Sequence, residues 1–246
     1  VNGNAVGMGP GRSGINAHQE DVFSAFDSFD LTGLYTHRTR SLTLAVQCFA
    51  AEHSGQLIAE LHLNYANGTR VIAGSGSEWK VWNATPSFGP IGTAGTQYYT
   101  QPHAFLDARL FAGSSGNVDE WAQPGFDDKA WHKAVAISQT YFSSVPLAPK
   151  PTSPLELLSG TIRVLDEVGP GHWTFRTPKE IQGGVRLRVT GATRGTTAVI
   201  RLGEETLINS TAPMFQMRTG NLYQEIWTLQ EGANELQAHE YVEFSW

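Results

Sequence analysis

Carboxylates that could act in pairs come first, because hydrolysis of a glycosidic bond places two of them across the scissile bond. The chain offers three adjacent pairs: Asp119 with Glu120, Asp127 with Asp128, and Glu204 with Glu205. Neighbours along an extended strand point to opposite faces, so adjacency argues against a working pair. These six residues read as caps and solvated turn residues, and no catalytic residue is assigned. Aromatic faces are the second resource. A pyranose ring can lay its apolar C–H surface on an exposed indole or phenol ring. Trp82, Tyr98, Tyr99, Trp121 and Trp173 are the candidates for carbohydrate binding, and core or interdomain packing is the competing use of each.

Other chemistries find less support. The eight histidines are scattered, and His53 and His62 lie nine apart with no His-x-x-x-His or Cys-rich spacing. No metal site and no cofactor are therefore expected, although a Ca²⁺ ion held by carboxylates and carbonyls stays open. No Gly-x-Ser-x-Gly elbow precedes a helix. Gly7-Met8-Gly9-Pro10-Gly11 matches a phosphate loop in glycine content but lacks the following Lys-Ser/Thr. Cys48 is the single cysteine, so there is no internal disulfide, and its apolar run from Leu42 to Ala50 predicts a buried thiol.

The formal net charge of −6 and the absence of any Lys/Arg run speak against nucleic acid as a partner. No apolar run approaches the ~20 residues that span a bilayer as a helix, so no membrane partner is expected. There is no signal peptide, and a start at Val1 suits removal of an N-terminal segment. Three sequons, at Asn67, Asn83 and Asn209, are candidate glycosylation sites and favour a secreted, extracellular protein.

The elements that would position these residues are strands. Charged residues make only 16% of 246, with 26 glycines, and no long amphipathic helix appears. An all-β chain of two antiparallel, jelly-roll-like β-sandwich domains is predicted. The domains are expected at 1–145 and 161–246, joined by a Pro-rich linker at 146–160. Both ends look cut. Only Val1 precedes a hairpin-type Asn2-Gly3 turn, and the chain stops on the alternating strand Tyr241 to Trp246.

Strands are expected at Leu42 to Phe49, at Gln56 to Tyr65 (Leu57, Leu61, Leu63 and Tyr65 on one face), at Arg70 to Ala73 after an Asn67-Gly68 turn, and at Trp79 to Trp82. Residues 83–103 read as irregular, and His103 to Phe111 as a strand. Pro124-Gly125 turns the chain into Phe126-Asp127-Asp128-Lys129-Ala130-Trp131. Asp127 is placed to cap that corner, and Phe126 and Trp131 are left to pack. Beyond the prolines, strands are expected at Trp173 to Phe175, Val185 to Val189 with Arg186 and Arg188 outside, Ala198 to Leu202, and Tyr223 to Leu229. A turn is expected at Glu231 to Asn234.

The order of these pieces resembles a known family. Phe29-Asp30-Leu31-Thr32-Gly33-Leu34, Leu57 to Tyr65 with Asn67-Gly68-Thr69, Glu78-Trp79-Lys80-Val81, Leu106-Asp107-Ala108-Arg109 and the Phe126 to Trp131 corner follow one another as in the N-terminal β-sandwich region of α-L-rhamnosidases. Gly183 to Gly191, Gly195-Thr196-Thr197 and Gly203-Glu204 are similar to that family's next sandwich. The corner also occurs in the sugar-binding sandwich of β-galactosidase and β-glucuronidase relatives. The resemblance implies release of terminal L-rhamnose from plant or gum glycans, with catalysis in a C-terminal (α/α)₆ barrel absent from residues 1–246. This segment alone is then a non-catalytic portion, partnered by a rhamnose-containing glycan and by the barrel of the same protein. Gln101 to Phe105 replaces the acidic-aromatic stretch usual before Leu106. Lyases that remove rhamnose from glucuronate use a similar scaffold, and a carbohydrate-binding module without activity is the remaining alternative.

Overall fold

The computed structural model describes residues 1–9, 13–15, 21–35, 41–49, 56–88, 93–94, 101–102, 105–113, 115, 117, 119–137, 146–162, 166–216, 222–238 and 242–246. The described chain is all-β and mostly antiparallel, and its helical turns are short 3₁₀ segments. The strands are β1 (Ser13–Ile15), β2 (Asp21–Phe26), β3 (Glu60–Asn64), β4 (Arg70–Gly74), β5 (Lys80–Val81), β6 (Thr93–Ala94), β7 (Gln101–Pro102), β8 (His132–Lys133) and β9 (Leu147–Pro149). They continue with β10 (Asp166–Gly169), β11 (His172–Thr174), β12 (Ile181–Gly183), β13 (Arg186–Ala192), β14 (Thr197–Arg201), β15 (Gln224–Thr228), β16 (Gly232–Gln237) and β17 (Val242–Phe244).

Contacts group the chain into two units that interleave in sequence. The first takes in Val1–Cys48, Gly55–Trp82 and Ala122–Ser159. It holds the β3–β4 hairpin, the β5–β8 pair and a three-stranded sheet in the order β1-β2-β9, where β9 runs parallel to β2. The expected Asn-Gly turns form. Asn2 and Gly3 take φ of 50° and 76°, and Asn4 N–H donates to the Val1 carbonyl at 2.9 Å. Gly68 takes φ +85° between β3 and β4, where a side chain would be strained. In β3, Leu61 and Leu63 turn inward while Glu60, His62 and Asn64 stay exposed, as the alternation predicts.

The second unit is built mainly from Asn83–Trp121 and Gly160–Trp246. Its core is the packing of two antiparallel pairs, β13–β16 and β14–β15. Trp227 on β15 and Leu236 on β16 are fully buried, together with Leu106, Ala108, Ala192, Leu229 and Ala238. Leu187, Val189 and Ile200 pack against them from β13 and β14. On β13 the alternation sends Arg186 and Arg188 outward, and both pair with Glu235 across the ladder. Leu106 enters this core through backbone pairing: Thr228 N–H donates to the Leu106 carbonyl at 2.7 Å.

Four expectations fail. Leu42 to Phe49 forms no strand; it is tied to Asn2 at Thr43, where Asn2 N–H donates to the Thr43 carbonyl and Thr43 N–H donates to the Asn2 side-chain oxygen, and gains no ladder. Cys48 is accordingly exposed rather than buried, and partial desolvation raises its pKa, so it is no activated thiolate. His103 to Phe111 is not a strand over its described residues. Asp107 accepts from Arg109 N–H at 3.0 Å and caps a 3₁₀ turn at Ala108–Leu110, which draws the backbone out of extended conformation. Glu231 to Asn234 is not all turn either, because β16 begins at Gly232. The Asn234 side chain is buried, and its amide group bonds the Gln230 N–H and carbonyl to close the β15–β16 connection.

Leu236→Ala should lower the stability of the second unit by about 2–5 kcal/mol, the usual cost of a buried cavity. Chemical denaturation followed through tryptophan fluorescence measures it. A change below ~1 kcal/mol would mean that this core is loosely packed.

Candidate functional site

The Gly125 to Trp131 corner is assembled from short-range bonds in the first unit. Gly125 sits at φ +84°, a conformation that favours glycine, and turns the chain so that Phe126 N–H donates to the Gln123 carbonyl at 3.3 Å. Asp127 accepts from Lys129 N–H two residues on, at 3.2 Å, as the capping reading predicts. Asp128 anchors the corner to β5: Lys80 Nζ donates to its carboxylate at 2.7 Å and to its carbonyl at 3.1 Å. Trp131 then meets Phe126 edge-on at 5.7 Å between centroids. Its other neighbour is Trp82, stacked at 6.1 Å with an interplanar angle of 25°. Both aspartates are thus engaged in holding the turn, and Trp82 is half-buried against a ring of its own unit.

A shallow groove of about 560 Å³ lies in the same unit, lined by Phe29, Asp30, Leu34, Leu155, Glu156 and Leu157 among others. Asp30 accepts from Thr32 N–H at 2.9 Å, and the hydrogen bonds from Thr32 hold its carboxyl below the usual range. It is committed to a local turn and stays ionised, so it is no general acid.

In the second unit the remaining carboxylate pairs separate in role. Glu120 accepts from both the backbone and the hydroxyl of Ser115, at 2.8 and 2.6 Å. Burial pushes the Asp119 carboxyl up, with Arg186 opposing and Glu235 reinforcing the shift. Glu204 does not work with Glu205 but gathers with Glu180 and Glu243. One carboxylate oxygen from each lies within 4.8 Å of the others. Burial, and then the like charges of Glu180, Glu243 and Glu205, raise the Glu204 pKa. Glu243 also accepts a hydrogen bond from the Gln182 amide across the β12–β17 pair. Three carboxylate oxygens could hold a hard cation such as Ca²⁺, and the trio is otherwise a mutually repelling surface cluster.

No signal in the sequence pointed to this trio. Glu180 precedes β12, Glu243 lies on β17, and Glu204 is brought in by Gly203, which exchanges backbone hydrogen bonds with Trp246 at 3.1 Å. Gly203 has no room for a side chain: a Cβ there would lie 2.9 Å from the Met214 carbonyl oxygen.

Among the aromatics singled out in the sequence, Trp82 belongs to the first unit and Trp121 and Trp173 to the second. Trp121 is half-buried within the 3₁₀ turn Glu120–Ala122. Trp173 lies on β11 and is 56% exposed. Tyr98 and Tyr99 lie outside the described residues. The sequon residues Asn67, Asn83 and Asn209 are all exposed. Asn67 and Asn83 each accept from the threonine N–H two residues on, at 2.9 and 3.1 Å.

No protein-family model matches the chain. Over 155 residues it is 30% identical to an α-L-rhamnosidase of Streptomyces avermitilis, an alignment that takes in 60% of this chain and 13% of the relative. In sequence the chain is thus similar to part of an α-L-rhamnosidase. An α-L-rhamnosidase structure from Dictyoglumus thermophilum covers 76% of the chain and 19% of its own length, at 18% identity and a TM-score of 0.42. The chain therefore spans well under a quarter of the rhamnosidases it matches. Asp30, Asn67, Asp107 and Asp127 each accept from the backbone N–H two residues on and so hold local turns.

Two outcomes follow. Trp131→Ala removes two ring contacts and should cost about 1–3 kcal/mol in the first unit's unfolding transition, with ~0.5–1.5 for each pair; an unchanged midpoint would show that the corner is not held by its rings. For Glu204, the folded pKa lies above the unfolded one, so its favourable contribution is complete below the unfolded value and is lost as pH rises through the folded value. Glu204→Gln should match the parent at about pH 4 and below. It should become the more stable of the two above that window, by a few tenths of a kcal/mol for a partly screened cluster. Thermal melts from acid to neutral pH check this, and parallel curves would refute it.

Proposed function

We propose that this chain is the non-catalytic β-sandwich portion of a secreted α-L-rhamnosidase-like enzyme that releases terminal L-rhamnose from plant or gum glycans. The observation that carries the reading is the 30% identity over 155 residues to an α-L-rhamnosidase. The engaged state of the candidate carboxylates supports it further. Asp127 and Asp128 hold a turn, Asp30 caps one, and Glu120 is taken up by Ser115. Inverting hydrolysis needs an acid and a base held roughly 6.5–9.5 Å apart in different environments, and these residues offer no such pair. The reaction is assigned to a helical barrel of the same protein. A rhamnose–glucuronate lyase on the same scaffold is the alternative chemistry.

The sandwiches then brace the catalytic region and present its glycan. Exposed apolar side chains of the second unit support bracing: Ile208 is 93% exposed, Val199 52% and Leu207 48%. Secretion is supported by the exposure of all three sequon asparagines.

Residues 1–246, purified and incubated with 4-nitrophenyl α-L-rhamnopyranoside, should release no nitrophenol above the uncatalysed background. A polypeptide that continues into the proposed barrel should release it. Turnover by residues 1–246 alone would overturn the division of roles.

A further inference from the structure

The one tryptophan among the described candidates that offers a largely open ring is Trp173. It lies on β11, opposite Glu167 of β10 in the antiparallel register. Residues directly opposite across such a pair share a face, with Cβ atoms about 4.5–5.5 Å apart. The carboxylate of Glu167 therefore stands beside the indole. Glu167 is itself exposed, and neither side chain has a hydrogen-bond or ion-pair partner among the described residues. The neighbouring positions have other uses. Thr174 donates its hydroxyl to the Thr211 carbonyl at 3.4 Å, and Phe175 meets Phe244 edge-on at 6.3 Å. The hairpin is thus tied to its unit by the residues after Trp173, and alternation turns Trp173 away from the Thr174 side. The backbone that carries the ring is thereby tied to its unit before any ligand arrives.

We infer that Trp173 and Glu167 form a stacking site for a terminal α-L-rhamnosyl residue, a role that rests on the function proposed above. The chemistry matches on three counts. A 6-deoxyhexose presents an apolar C–H face and a methyl group to an aromatic ring. Its hydroxyls can donate to the Glu167 carboxylate, and its oxygens can accept from the free indole N–H. Trp82 differs in that Trp131 occupies one side of its ring.

The test uses residues 1–246 and methyl α-L-rhamnopyranoside, followed by the indole N–H signals in ¹H–¹⁵N spectra and by affinity electrophoresis through a rhamnose-terminated polysaccharide. The Trp173 indole signal should shift on titration. Trp173→Ala should weaken binding about tenfold or more, a loss near 1.4 kcal/mol. Trp173→Phe should keep most of the affinity, and Glu167→Ala should lose part of it. All three variants should keep the parent's circular dichroism, since both side chains are at the surface. If the rhamnoside binds and Trp173→Ala binds it equally well, the site is wrong while the proposed function stands. If a galactoside or glucoside binds through Trp173 and the rhamnoside does not, the assignment to rhamnose falls, and the proposed function loses its support with it. Absence of binding by any of these sugars would overturn the site.

Discussion

Burial of Trp227 and Leu236 is the constraint on which the second unit depends. Each β-pair in this unit is two strands wide, and an isolated two-stranded ribbon has little stability in water. The β13–β16 and β14–β15 pairs become stable by covering each other's inner faces, and those two residues fill the space between them. Everything outward-facing follows from that choice. Arg186 and Arg188 must point to solvent once Leu187 and Val189 point in, and Glu235, opposite Arg188 on β16, pairs with both. Burial would push the Glu235 carboxyl up, but the hydrogen bonds and charge of the two arginines prevail and hold it below the usual range.

The corner at Gly125 to Trp131 shows a different economy of parts. Its residues are those that associate the chain with sugar-processing enzymes, and the structure engages nearly all of them locally. Asp127 replaces a missing backbone partner, Asp128 fastens the turn to β5, and the rings of Phe126, Trp131 and Trp82 form one ladder. The corner marks the scaffold and reveals nothing of where bonds are broken.

What was legible in the sequence was local. Asn-Gly turns, the alternation in β3 and β13, the cap at Asp127 and the all-β class each depend on residues within a few positions of one another. Failures came where a distant partner decides. Leu42 to Phe49 has strand composition but pairs with no strand among the described residues. Leu106 reads as part of a strand and instead delivers one side chain and one carbonyl to a core more than a hundred residues further on. Even β16 was hidden, because Glu231-Gly232-Ala233-Asn234 has turn composition, and only the buried Asn234 side chain reveals how a strand can begin inside it.

The same distinction separates the carboxylates that were suspected from those that converge. The adjacent acids stand out in the sequence because they are adjacent, yet all three pairs lie in turns or irregular segments rather than in strands. Glu180, Glu204 and Glu243 meet because β12 pairs with β17 and because Gly203 lies against Trp246. Proximity still does not make them a hydrolytic pair. Acid and base catalysis by two carboxylates requires that their surroundings drive the two pKa values apart, so that one keeps its proton while the other is ionised. These three share a single surface environment at the end of one unit. The main inequality is the partial burial of Glu204, and the repulsion that raises its pKa comes from the very groups that would have to serve as its base. A cluster so arranged destabilises its own ionised form without dividing the labour of acid and base.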